Sequence, residues 1–137
     1  MADNLTRLIR DWLTKAAHDL QNAHIVSATP DGPLDTAIYH CQQAAEKSLK
    51  GWLTWRGITA AKTHDLIRLI ADAADDTPDF ARFEEAAAIL TPYVSAFRYP
   101  GLTDDQMPSR EEFDAALQHA QAIYDFVLRL LPAAARP

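Results

Sequence analysis

The side chains equipped for chemistry are five histidines, thirteen lysines and arginines, and a single cysteine. Metal binding needs imidazoles and thiolates at ligand spacing. His18, His24, His40, His64 and His119 form no HExxH and no paired Cys/His pattern, so no metal is expected. The glycines at 32, 51, 57 and 101 build neither GxGxxG nor GxxxxGK[ST], and there is no nucleophile elbow. Kinase, dehydrogenase and hydrolase readings have no support, and no cofactor is expected. What remains is proton transfer and anion binding, since histidine titrates near neutral pH and arginine presents paired donors to phosphate or carboxylate.

Three places offer that chemistry. Arg98 follows an apolar segment and precedes Tyr99-Pro100, a rigid dipeptide. It is suited to hold a carboxylate or phosphate in bidentate fashion, or to be pinned structurally to Asp19 or Glu46. His64 and Asp65 stand at an expected helix start, where free N–H groups attract anions; capping and loop packing are the alternative. Lys47 lies one turn beyond Gln43 and is either a ligand group, a solvated lysine, or the partner of Glu46 or Asp65. These residues avoid the regular apolar stripes. Lys47, His64, Arg98 and Tyr99 are therefore expected to meet on one polar cleft between the second and fourth helices.

The elements that must position them are helical throughout. Leu5, Leu8, Ile9, Trp12, Leu13, Ala16, Leu20 and Ala23 recur at helical spacing, predicting a helix over 4–27 capped by Asp3 or Asn4. Thr29-Pro30-Asp31-Gly32-Pro33 is a turn. A second helix over 34–56 buries Leu34, Ala37, Ile38, Cys41, Ala44, Ala45, Ser48, Leu49, Trp52 and Leu53 and closes at Gly57. Its opposite side carries Tyr39, Gln42, Gln43, Glu46, Lys47 and Lys50. Thr63 is the expected cap of a third helix whose first turn holds Asp65. Thr77 and Pro78 open a fourth, running to Phe97 with a kink at Pro92. After the loop Tyr99 to Pro108, Ser109 and Glu112 form a capping box for a fifth helix that ends at Pro132. The fold expected is an all-α, up-and-down antiparallel bundle of about five helices, one domain over 1–132 with a frayed tail over 133–137.

A chain of 137 residues suffices for one buried core. A net charge of −6 speaks against broad DNA binding, which needs a concentrated positive surface. Cys41 sits on the apolar stripe as a small core residue. No apolar run reaches membrane-spanning length and the N-terminus lacks a signal-peptide pattern, so a cytoplasmic protein is expected. Trp52, Leu53, Trp55 and Ile58 exceed what one stripe requires. Either the next connection or a second copy must cover them.

CQQAAEKSLKGWL (Cys41 to Leu53) followed by THDL (Thr63 to Leu66) resembles the HEPN family of small helical proteins. Trp12, Ala16, Asp19, Leu20 and Ala23 match the family's first helix. Tyr93 with Arg98-Tyr99-Pro100 matches its Y…RYP element, and Ala116, Ala120 and Ile123 fit its last helix. The resemblance covers nearly the whole chain and implies a four-helix-bundle core. It also implies a twofold homodimer and a frequent pairing with a minimal nucleotidyltransferase in a two-component or toxin–antitoxin-like module. Many members are metal-independent ribonucleases with an arginine and a histidine separated by four to six intervening residues. Here Thr103, Asp104 and Asp105 occupy the corresponding positions after Arg98. The reading therefore leans away from an enzyme, toward a non-catalytic nucleotide- or substrate-binding, or partner, subunit. A ribonuclease with a displaced pair such as Arg98 and His64, and a nucleotide-binding sensor, are the alternatives; nucleotide and RNA stay open as ligands.

Overall fold

The computed structural model describes residues 3–102, 104 and 106–137. Its described residues contain helices and no strand: α1 (Asn4–Ala28), α2 (Leu34–Trp55), α3 (Leu66–Asp76), α4 (Glu84–Leu90) and α5 (Arg110–Leu130). Short 3-10 turns lie at Pro78–Phe83, Thr91–Val94 and Ala133–Ala135. The Asp3 carboxylate accepts from Thr6 N–H and starts α1. α2 ends in a Schellman motif: Gly57, at φ +74°, donates to Thr54 C=O, and Ile58 N–H to Leu53 C=O. Ser109 and Glu112 form the reciprocal capping box of α5.

α2 is the central element, packed on α1, α3, α5 and the Thr91–Val94 turn. Ile38, Leu49 and Leu53 on α2, Ile9 and Leu13 on α1, Phe113 and Ile123 on α5, and Phe80 are fully buried. Where α1 crosses α2, Gly51 lets the backbones approach. A Cβ there would sit 2.7 Å from Leu13 Cδ2 and 3.1 Å from Trp12 Cβ.

Five local expectations are corrected. Asp65, not Thr63, caps α3; its carboxylate accepts from Ile67 N–H, while the Thr63 hydroxyl accepts from Asp65 N–H. The fourth helix breaks rather than kinks at Pro92. It opens as a 3-10 turn, is α-helical only over Glu84–Leu90, and tightens again over Thr91–Val94, because proline supplies no N–H to continue the ladder. Leu5 and Leu8 are largely exposed, so the buried stripe of α1 begins at Thr6 and Ile9. The tail does not fray: Ala135 is buried, and Arg10 donates to Ala134 C=O from both Nε and Nη2. Finally, Trp52 and Leu53 are buried and Trp55 and Ile58 pack partly on the core within one chain. These four side chains therefore do not call for a second copy.

Gly51→Val is expected to lower stability by about 1–3 kcal/mol through overpacking at the α1–α2 crossing, read as a reduced urea midpoint at unchanged slope. The Cys41 thiol is pushed from 9.0 up to about 12, first by desolvation. Being raised in the fold, it contributes stability that is intact below pH 9 and is lost as pH climbs toward 12. Iodoacetamide at pH 8 should leave Cys41 unmodified until denaturant is added; labelling of the native protein would show an open core.

Candidate functional site

The polar side of α2 is not simply solvated. Gln42, Gln43 and Glu46 are buried together with Asp19 of α1. Two carboxylates organise this surface. Asp19 takes Lys47 Nζ on one oxygen at 2.7 Å and His40 Nδ1 on the other at 2.8 Å. Glu46 takes His64 Nδ1 at 2.7 Å and Gln42 Nε2 at 3.2 Å on Oε1, and Lys50 Nζ at 3.2 Å on Oε2. Gln42 also donates to His64 C=O, and Gln43 donates to the Gln42 carbonyl oxygen. A buried carboxylate needs donors on both oxygens, and each here has at least two. Because a carboxylate accepts, each histidine carries its proton on Nδ1 and keeps Nε2 for a second partner.

Sequence order explains the layout. Tyr39, Gln43 and Lys47 follow one row of α2 at four-residue steps, and Gln42, Glu46 and Lys50 follow the next. The first row meets Asp19 on α1; the second meets His64 on the connection into α3. Lys47 thus pairs with Asp19, rather than with Glu46 or Asp65.

Arg98 is exposed and has no carboxylate partner among the described residues. It is pinned neither to Asp19 nor to Glu46. Its guanidinium carbon lies 3.9 Å from the Tyr39 ring centroid and 5.2 Å from that of Tyr99, and Nη1 donates to Val94 C=O. Phe97 just before it adopts φ +67°, a conformation a bulky residue rarely takes. Its ring is held parallel to Tyr93 at 6.2 Å, and this turn carries Arg98 back over α2. The Tyr39 and His40 rings meet edge-on at 5.5 Å, so contacts run unbroken from Tyr99 through Arg98, Tyr39, His40 and Asp19 to Lys47.

Of the sequence-derived residues, Arg98 and Tyr99 touch directly and reach Lys47 through Tyr39, His40 and Asp19, whereas His64 belongs to the separate Glu46 node, so the four do not share the one cleft expected. Asp65 faces elsewhere. The first two N–H groups of α3 are taken, that of Leu66 by the Thr91 hydroxyl and that of Ile67 by the Asp65 carboxylate. Cavities of about 490 and 450 Å³ lie between α1 and α5 near His24 and Gln121, and beside Ile58, Arg68 and Asp76. Neither includes Lys47, His64, Arg98 or Tyr99. Thr103 and Asp105, where a catalytic histidine was sought, lie outside the described residues.

Sequence reasoning missed Tyr39, His40 and Asp19 as members of this line. A signal existed for Asp19: it stands three residues after Ala16 and four before Ala23, on the buried stripe, where a lone carboxylate demands partners. Lys47→Met is expected to cost about 1–3 kcal/mol, because Asp19 keeps only His40; adding Asp19→Asn should recover part of the loss. A neutral Lys47→Met in denaturant titration would show that the pair does not support the α1–α2 contact.

No curated protein sequence matches the chain. A family model described as HEPN domain matches residues 9–130. The crystal structure of TT1696 from Thermus thermophilus superposes with a TM-score of 0.80 at 35% identity, covering 90% of this chain and 98% of that one. ST0689, an archaeal HEPN homologue, superposes with a TM-score of 0.70 at 26% identity over 88% of this chain and 95% of its own. With the all-helical fold and the matched span together, the chain belongs to the HEPN domain family.

Proposed function

We propose that this HEPN domain is a binding subunit without chemistry of its own. In this reading it is the nucleotide- or substrate-binding partner of a minimal nucleotidyltransferase, in a cytoplasmic two-component or toxin–antitoxin-like module. The observation that supports it most directly is Arg98. Its guanidinium is clamped by two tyrosines and a backbone carbonyl, and among the described residues no carboxylate claims it and only Val94 C=O takes one of its N–H donors. An arginine so held has lost much of its side-chain freedom before a ligand arrives, which lowers the entropy that binding must overcome. Lys47, His40, Lys50 and His64 add cationic or donor groups over carboxylates that are themselves buried. No helix of the described residues is long and apolar enough to cross a membrane. A homodimer belongs to the same proposal, with exposed Leu5 and Leu8 on α1 as apolar surface.

The histidine–carboxylate pairs favour one second reading, a metal-independent ribonuclease. Each pairing through Nδ1 prepares Nε2 to accept a proton, and Arg98 would stabilise phosphate charge. A third role, nucleotide sensing, would appear as thermal stabilisation by a nucleotide.

The test is co-expression with a minimal nucleotidyltransferase from the same genome. A stoichiometric complex is expected to co-purify with the tagged HEPN chain, and the isolated chain is expected to leave RNA intact in EDTA. RNA cleavage that disappears in Arg98→Ala at unchanged melting temperature would replace the binding reading with the nuclease one.

A further inference from the structure

His64 is held more firmly than an exposed histidine needs to be. Its side chain is 64% exposed, yet Nδ1 lies 2.7 Å from a Glu46 oxygen, and the Glu46 side chain is only 7% exposed. Neutralising Glu46 does not require the histidine, because Lys50 Nζ sits on the other oxygen at 3.2 Å. Gln42 donates both to Glu46 Oε1 and to His64 C=O, so one buried amide fixes the carboxylate and the backbone that carries the ring. With the proton held on Nδ1, the lone pair belongs to Nε2, on a ring that is mostly in solvent. An imidazole in this state is a nucleophile, and the positive charge it gains on attack is matched in advance by the carboxylate. The other histidines are placed differently. Nε2 of His24 is engaged by Gln121 at 3.1 Å. His40 shares the carboxylate contact, but its side chain is 30% exposed and Tyr39 meets its ring edge-on. His18 is exposed and pairs with no carboxylate among the described residues.

We infer that His64 is an acceptor site for a phosphoryl group, carried on Nε2 and delivered by a donor of the phosphoramidate or acyl-phosphate class. The Nε2 lone pair forms the new N–P bond. The donor's P–N or P–O bond breaks, and the leaving group departs with that electron pair; from phosphoramidate, protonated on nitrogen, it departs as ammonia. No proton moves at His64. Nδ1–H stays on Glu46, and the ring becomes a phosphoimidazolium facing the carboxylate. Lys50 offsets Glu46, so the incoming dianion does not meet an uncompensated negative charge. The cavities near Gln121 and Asp76 do not include His64, and the Tyr39 and Tyr99 rings belong to the other node. A bare phosphoryl group therefore suits this site, whereas a nucleotide's base would have no face to stack on. The chain supplies only the acceptor, so the inference goes beyond the binding reading and does not depend on Arg98.

Phosphoramidate is the probe, with peptide mapping at alkaline pH and phosphorus NMR as the readouts. The native full-length chain is expected to label on His64 about tenfold faster than on His18, the ratio produced when the Glu46 hydrogen bond strengthens by about 1.4 kcal/mol on attack. The adduct should survive alkali, be lost in acid, and be attached through Nε2. In urea, where Glu46 no longer faces the ring, the two histidines should label alike. Glu46→Gln keeps the shape and removes the charge, and should bring the native ratio toward one, with circular dichroism reporting the fold. If that variant does not fold, the wild-type comparison of native and denatured chain decides alone. Four results overturn the inference: no preference for His64 over His18, an Nδ1 adduct, a ratio unchanged by urea, or a ratio unchanged in folded Glu46→Gln. Failure here leaves the binding-subunit reading standing, because this label needs no transferase.

Discussion

Asp19 and Glu46 lie where water barely reaches, and a carboxylate in that position must be matched or the fold loses several kcal/mol. The matching groups come from different parts of the chain. Asp19 on α1 is met by His40 and Lys47 on α2; Glu46 on α2 is met by Lys50 of the same helix and by His64 beyond its end. Because hydrogen bonds to a charge are short and directional, these two nodes fix how α1 and α2 slide past each other and where the connection into α3 must pass. Apolar packing through Leu13, Leu49 and Leu53 drives the helices together, but it is tolerant of small shifts in register. The polar nodes are not.

That division of labour also separates the rigid part of the surface from the part that carries Arg98. Pro92 ends the α-helical ladder, Thr91 turns its hydroxyl to the start of α3, and Phe97 takes a left-handed conformation. The chain thereby leaves the bundle one residue before Arg98, and the arginine reaches back onto Tyr39 instead of projecting outward. Removing the break at Pro92 would carry the helix past this point and aim Arg98 elsewhere.

Much of this was legible in the residues. Apolar spacing and caps located α1, α2, α3 and α5 to within a residue or two at most ends, because Pro33, Gly57 and the Ser109–Glu112 pair act locally. The segment around Pro92 was not legible. Tyr93, Val94 and Phe97 keep helical spacing, and spacing alone cannot say whether a proline bends a helix or ends it. Arg98 and Lys47 drew notice for their chemistry, yet their actual companions, Tyr39 and Asp19, lie 59 and 28 positions away. Tertiary proximity of that kind leaves no periodic trace. Gln42 and Gln43 misled for a related reason: amides on a polar stripe look solvated until Gln42 is found on a carboxylate and a backbone carbonyl, and Gln43 on the side-chain oxygen of Gln42.

The clasp between Arg10 and Ala134 holds the C-terminal segment against the first turns of α1. α1 and α2 run in opposite directions, with Leu13 against Gly51 and Asp19 against His40. The Tyr39–Arg98 stack consequently lies about nine residues of helix beyond that clasp, roughly 13 Å along α1. A reporter or fused domain attached to the C-terminal segment therefore starts beside the clasp and not on the stack.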